Sequence, residues 1–261
     1  MILLKHECRQ GFKSLAVWSA SIGFFLVICV FLYPEMENEM KDVSNVFSSM
    51  GAFTAAFGMD RLDFGELTGF YAIECGNILG LGGAFFCSLL ATGILAKEEK
   101  GRTAEFLLTH PIGRSHLLTE KLAAVVLQII LMNLLIFALP TASIALIGEK
   151  IPWKEICLLH LANFLAQIEL ACICFGVSAF LRRSGLGIGL GIATVLYFLN
   201  ILSNISQQAD FLKYFTPFGY TEGADILTNG HLDGEKILLG MGLALVGVCA
   251  AYWKYCGKDI Q

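Results

Sequence analysis

The sequence predicts an all-α integral membrane protein with six transmembrane helices, both termini cytoplasmic, and an amphipathic surface helix at its amino end. Three observations carry that expectation. Only 15% of the 261 residues are charged while 56% are hydrophobic, and the mean hydropathy is +0.68. A soluble domain carries roughly 25% charged residues, so this composition argues against a water-soluble enzyme. Uncharged runs extend from Ser14 to Pro34, Cys75 to Ala96, Leu122 to Gly148, Ser184 to Ala209 and Ile237 to Trp253, and a further run from Ile156 to Leu181 is interrupted only by Glu169. About 20 apolar residues in a helix cross a hydrocarbon core of about 30 Å. Finally, the runs do not alternate apolar and polar residues as barrel strands do, which leaves helices as the way to satisfy backbone groups in lipid.

These runs place spans near 15–33, 74–96, 122–147, 156–181, 185–204 and 237–255, within one transmembrane domain covering 1–261. The first run exceeds the apolar region of a signal peptide and lacks a small-x-small cleavage site, so it is expected to be retained. Before it, Lys5, Arg9 and Lys13 fall at i, i+4 and i+8, the spacing of a surface helix entering the bilayer. In the external segment 34–72, Met36, Met40, Val43, Phe47 and Met50 recur at helical spacing among charged residues. That pattern predicts an interfacial amphipathic helix, either covering neighbouring spans or gating a substrate path. The second external segment, 205–235, mixes Phe211, Tyr214, Phe215, Phe218 and Tyr220 with a break at Pro217 and Gly219, as expected at a membrane surface.

Loop charges orient the chain. Six spans put both termini on one side, and that side holds 12 of the 18 Lys and Arg residues but only 6 acidic residues, against 14 on the other. The positive-inside rule makes it cytoplasmic. The nine cysteines include no Cys-x-x-Cys pair, and none lies well inside either external segment, so they read as apolar packing residues.

The cytoplasmic loop 97–121, KEEKGRTAEFLLTHPIGRSHLLTEK, combines a charged start with Phe106, Leu107 and Leu108 side by side. Thr103 is suited to cap a short helix carrying Glu105 in its first turn, and Pro111 to end it. Three adjacent large apolar residues in an aqueous loop need a cover, which is either the bilayer interface or a groove on a partner protein.

The order Glu98-Glu99, Lys100-Gly101, Thr103, Glu105, Leu107-Leu108, Pro111, Arg114 and Lys121 resembles the loop signature of type-2 ABC exporter permeases. Arg102 stands between a Gly and a Thr that the family pattern holds adjacent. The resemblance spans nearly the whole chain, through the six spans and the Phe215-Thr216-Pro217-Phe218 segment. It implies a permease subunit of an ATP-driven exporter in a bacterial cytoplasmic membrane. Two permease copies would pair as a homodimer or heterodimer, and each would dock on an ABC ATP-binding subunit. The coupling residues would be Glu98, Glu99, Gly101, Thr103, Glu105, Phe106, Leu107, Leu108, Pro111 and Arg114. The chain has no Gly-x-x-x-x-Gly-Lys-Ser/Thr phosphate loop. No catalytic residue, metal or cofactor is therefore expected on it, and ATP and Mg are expected on the partner. The remaining expected surroundings are the lipid bilayer, with no nucleic acid.

Polar residues inside spans demand reasons, because an ionised carboxylate at mid-span costs ~2.5 kcal/mol or more. Glu169 shares a helical face with Ala162, Ala166 and Gly176, which permit close helix approach. His160, Asn163, Gln167, Cys174 and Ser178 occupy the opposite face. Glu169, His160, Asn163 and Gln167 are thus candidates for a translocation path or for helix packing. A rival reading makes the chain an ion-coupled secondary transporter with Glu169 and His160 as proton carriers; another makes it a non-transporting anchor or sensor for an ATPase. In the fifth span Gly185, Gly187, Gly189 and Gly191 supply small-x-x-x-small pairs, suited to packing within the chain or between copies.

Overall fold

Long apolar segments with few breakers become long helices. A computed structural model describes the backbone of residues 2–49, 51–100, 113–181 and 185–257, and the side chains of these except 2, 36–49, 96–100 and 207. Helix α1 (Ile2–Ser49) has 48 residues, about 72 Å at 1.5 Å per residue, so it far exceeds the hydrocarbon core. The short helix α2 (Ala52–Ala56) follows. The second span, Leu67–Leu95, is composite. Helix α3 (Leu67–Glu74) passes through a π-helical turn, Cys75–Leu79, into α4 (Gly80–Lys100). Helix α5 (Arg114–Leu146) contains Pro140, and just beyond it the Thr141 and Ser143 hydroxyls donate to the carbonyls of Phe137 and Leu139. Helices α6 (Trp153–Ser178) and α7 (Leu186–Ile205) complete the fourth and fifth spans. Two 3-10 segments, Gln207–Tyr214 and Pro217–Tyr220, then lead to the short α8 (Gly223–Asn229) and the last span, α9 (Gly234–Cys256).

The second and fourth spans form the interior, while α1, α5, α7 and α9 are mostly exposed. Outward-facing Phe24, Phe25, Leu134, Val195, Phe198 and Leu238 are the apolar surface expected of a protein solvated by lipid. Helix α1 packs along α5, α4 along α6 and α7, and α6 along α9. Close approach is set by glycines. A Cβ at Gly176 would strike the Gly247 backbone, and one at Gly240 would strike the Glu169 carboxylate. The partners advance by seven residues on both helices, so α6 and α9 run parallel with small residues at heptad spacing. Gly189 of α7 likewise fits against Ser88 and Thr92 of α4, whereas Gly187 and Gly191 face open space.

Several expected boundaries change. The amino-terminal surface helix, the first span and the backbone of 36–49 form one helix, which continues through Pro34 despite the lost ladder hydrogen bond and the ring's clash with the preceding turn. Residues 67–72, assigned to an external segment, are the first turns of the second span. Residues 114–121, assigned to the cytoplasmic loop, are the first two turns of α5. Hydropathy marks where lipid begins, whereas the hydrogen-bond ladder continues until a breaker stops it. In 205–235, Phe218 and Tyr220 are buried, while Phe211, Tyr214 and Phe215 remain exposed.

Candidate functional site

At the end of the bundle that bears the 97–121 loop, the first turns of α5 bind three other helices. Lys121 has no exposed side-chain surface; its Nζ donates to Glu7 Oε1 of α1 at 3.0 Å and to the Ile94 carbonyl of α4 at 2.8 Å. The Glu7 side chain is 2% exposed. Burying two charges costs several kcal/mol per ion unless they are paired and otherwise hydrogen-bonded, and here the ammonium has both a carboxylate and a carbonyl. One residue earlier, Glu120 Oε2 accepts the Leu4 backbone N–H at 2.9 Å, while Oε1 lies 3.0 Å from His116 Nε2. Leu4 is in the first turn of α1, where N–H groups have no partner within the helix, so a carboxylate there satisfies a donor and complements the helix dipole. At the opposite kind of terminus, Arg114 donates to the Cys256 carbonyl, in the last turn of α9, at 3.2 Å. The hydroxyls of Thr119 and Tyr252 are hydrogen-bonded at 2.8 Å.

Three of the expected coupling residues lie on the helices that meet at this hub. Glu98 and Glu99 belong to the last turn of α4, and Arg114 is the first residue of α5. Gly101, Thr103, Glu105, Phe106, Leu107, Leu108 and Pro111 lie outside the described residues. Both ends of that segment therefore feed into helices that the Lys121 ammonium joins. The Glu7–Lys121 pairing escaped the sequence reading because 114 positions separate the partners. Its one sequence signal was a lysine immediately before a long uncharged run.

The polar positions of α6 meet different neighbours. His160 Nε2 lies 2.7 Å from the Tyr71 hydroxyl of α3, and the His160 ring meets Phe137 of α5 edge-on at 5.2 Å. Asn163 Nδ2 donates to the Leu159 carbonyl at 2.9 Å, and Gln167 Oε1 accepts from Asn133 Nδ2 of α5 at 2.6 Å. Ser178 donates to the Thr92 carbonyl of α4 at 2.9 Å. The α6 side chains are buried against other helices, although among the described residues His160 Nδ1, Gln167 Nε2 and Asn133 Oδ1 have no hydrogen-bond partner. On the other face, Glu169 is 1% exposed, and its Oε2 accepts from the Tyr220 hydroxyl at 2.8 Å. Nine residues separate His160 and Glu169, which puts them about 13.5 Å apart along the axis and on opposite sides of α6. The structure does not bring them together, so no proton relay joins them directly.

Chemically, these contacts hold the helices in register. Among the described residues no group of three or more His, Cys, Asp and Glu side chains could hold a metal ion. The family model described as "ABC-2 family transporter protein" matches residues 1–260. Among curated proteins, the chain is similar to the uncharacterized protein YhcI of Bacillus subtilis (strain 168). The two are 22% identical over 236 residues, which cover 83% of this chain and 69% of that protein.

Proposed function

The chain belongs to the ABC-2 transporter family, as a multi-pass membrane permease of an ABC transporter, and from that premise we propose that it couples ATP hydrolysis by a separate ATP-binding subunit to export of a substrate. ATP and Mg are bound by that subunit. Two permease copies pair in the bacterial cytoplasmic membrane, with both termini and the 97–121 loop on the cytoplasmic side. The positive-inside asymmetry supports this orientation, and the apolar trio Phe106, Leu107 and Leu108 supplies the docking surface.

The observation that carries the coupling reading is the Lys121 junction. A segment whose two ends lead into α4 and α5 cannot be displaced as a unit without loading the contacts of Lys121 with Ile94 and Glu7. Closure of the ATP-binding subunits would thereby reach α1, α4 and α5 together. Such a movement can be driven by nucleotide only if docking differs in free energy between the two states. The placement of His160 and Glu169 on opposite sides of α6 gives no support to the secondary-transporter alternative.

The test is pull-down of the ATP-binding subunit by a Leu107→Ser, Leu108→Ser variant at normal membrane levels. Truncating a buried interface anchor costs about 2 kcal/mol or more, so recovery of the ATPase should drop sharply while the permease stays folded. Undiminished recovery with undiminished transport would reject the docking assignment.

A further inference from the structure

At the end of the bundle opposite Lys121, a small chamber lies where the π-helical turn, the last turns of α7 and the start of α8 meet. Its wall includes Gly76 and Asn77, Tyr197, Asn200 and Asn204, and Glu222. Its volume is about 40 Å³, several times the ~10–15 Å³ that one water requires.

Apolar residues make up most of the rest of the wall, and among the described lining residues none is positively charged. Asn200 is 7% exposed, and among the described residues its buried Oδ1 has no hydrogen-bond partner; nor has the buried Asn204 Oδ1. Asn204 Nδ2 donates to Glu222 Oε2 at 2.9 Å, and the Tyr197 hydroxyl donates to Asn77 Oδ1 at 3.1 Å. Glu222 forms no ion pair among the described residues. The neighbouring cations are committed elsewhere: Arg61 to Asp225 at 2.7 Å and Lys213 to Asp210 at 2.8 Å. Burial pushes the Glu222 carboxyl above its ordinary range, with the Asn204 N–H and the Arg61 charge opposing. Native proteins seldom leave buried polar atoms unsatisfied, and an unmatched group of this kind calls for a water, an ion or a catalytic explanation.

We propose that this chamber is a binding site for a small monovalent alkali cation, held by the Glu222 carboxylate and by the side-chain oxygens of Asn200 and Asn204. Hard cations take oxygen ligands of this kind, carboxylate and amide carbonyl together. The charge balance selects a monovalent ion, because one carboxylate neutralises one positive charge, whereas a divalent ion would leave a buried excess charge at high desolvation cost. An occupant there would tie the second span, α7 and the segment before α8 together. The site is distinct from the Lys121 junction and does not depend on the transport reading.

The test uses the full-length chain purified in detergent. Its thermal unfolding is followed in sodium, potassium and choline chloride at equal ionic strength, with calcium chloride as a separate arm. Sodium or potassium should raise the midpoint over choline in a saturable manner. Glu222→Gln, which keeps size and removes charge, should abolish the increment. Asn200→Ala should weaken the half-saturating concentration by about tenfold, equivalent to ~1.4 kcal/mol, and it provides an independent variant should Glu222→Gln fail to fold. Equal midpoints in all the salts, an undiminished increment in both variants, or stabilisation by calcium alone would each overturn the assignment.

Discussion

The Tyr220 hydroxyl, from the irregular segment between the last two spans, donates a 2.8 Å hydrogen bond to Glu169, the sole charged-type residue within the long run of the fourth span. Gly240 of α9 closes over the same carboxyl. A residue that sequence left between a structural and a transport role is thus held by a phenol above a glycine seam, a packing arrangement in which the carboxyl keeps one specific donor. Tyr220 is itself 4% exposed.

Removing that donor isolates the carboxyl. Tyr220→Phe should destabilise the protein by about 1–3 kcal/mol, the cost of an unsatisfied buried polar group, read as a lower thermal midpoint in detergent. In a Glu169→Met background the same change should cost far less, because no acceptor remains. Equal losses in the two backgrounds would show that the bond contributes nothing specific.

The Lys121 junction makes a sharper prediction. Lys121→Met leaves Glu7 buried without its cation and should cost about 3–5 kcal/mol. Joint replacement, Glu7→Met with Lys121→Met, should recover much of the loss, since apolar residues of similar volume need no desolvation. If the pair also carries coupling, the double variant should fold and bind the ATPase yet transport poorly. Normal transport by a folded double variant would confine the pair to a structural role.

A third expectation concerns pH. Asp233 caps α9, accepting the Glu235 and Lys236 N–H groups at 3.2 and 3.4 Å, and it pairs with the Lys236 ammonium at 3.0 Å. Slight burial raises its pKa, but the bonds from Lys236 outweigh this and hold the carboxyl below its ordinary range. A depressed folded-state value means that the contribution is present above the unfolded-state pKa and is lost as pH falls through the folded one. Asp233→Asn should therefore flatten the acid limb of stability, and Asp233→Ala should cost about 1 kcal/mol at neutral pH. An unchanged acid limb in Asp233→Asn would remove the cap from the pH response.

By itself the sequence determined the class, the six spans and the family, because hydrophobic run length and the residue order of one loop are local quantities. It also contained the loop segment and the unusual polar positions of the fourth span. Tertiary structure alone decided which of those residues meet. The bonds from Glu7 to Lys121 and from Tyr220 to Glu169 join positions 114 and 51 residues apart, and no periodicity encodes such distances. Helix ends were equally out of reach: α5 begins at Arg114, well before its apolar run, because Lys121 and Glu120 can enter the interior once Glu7, Ile94 and Leu4 satisfy them. A charged residue looks aqueous in isolation, and only its partner makes burial affordable.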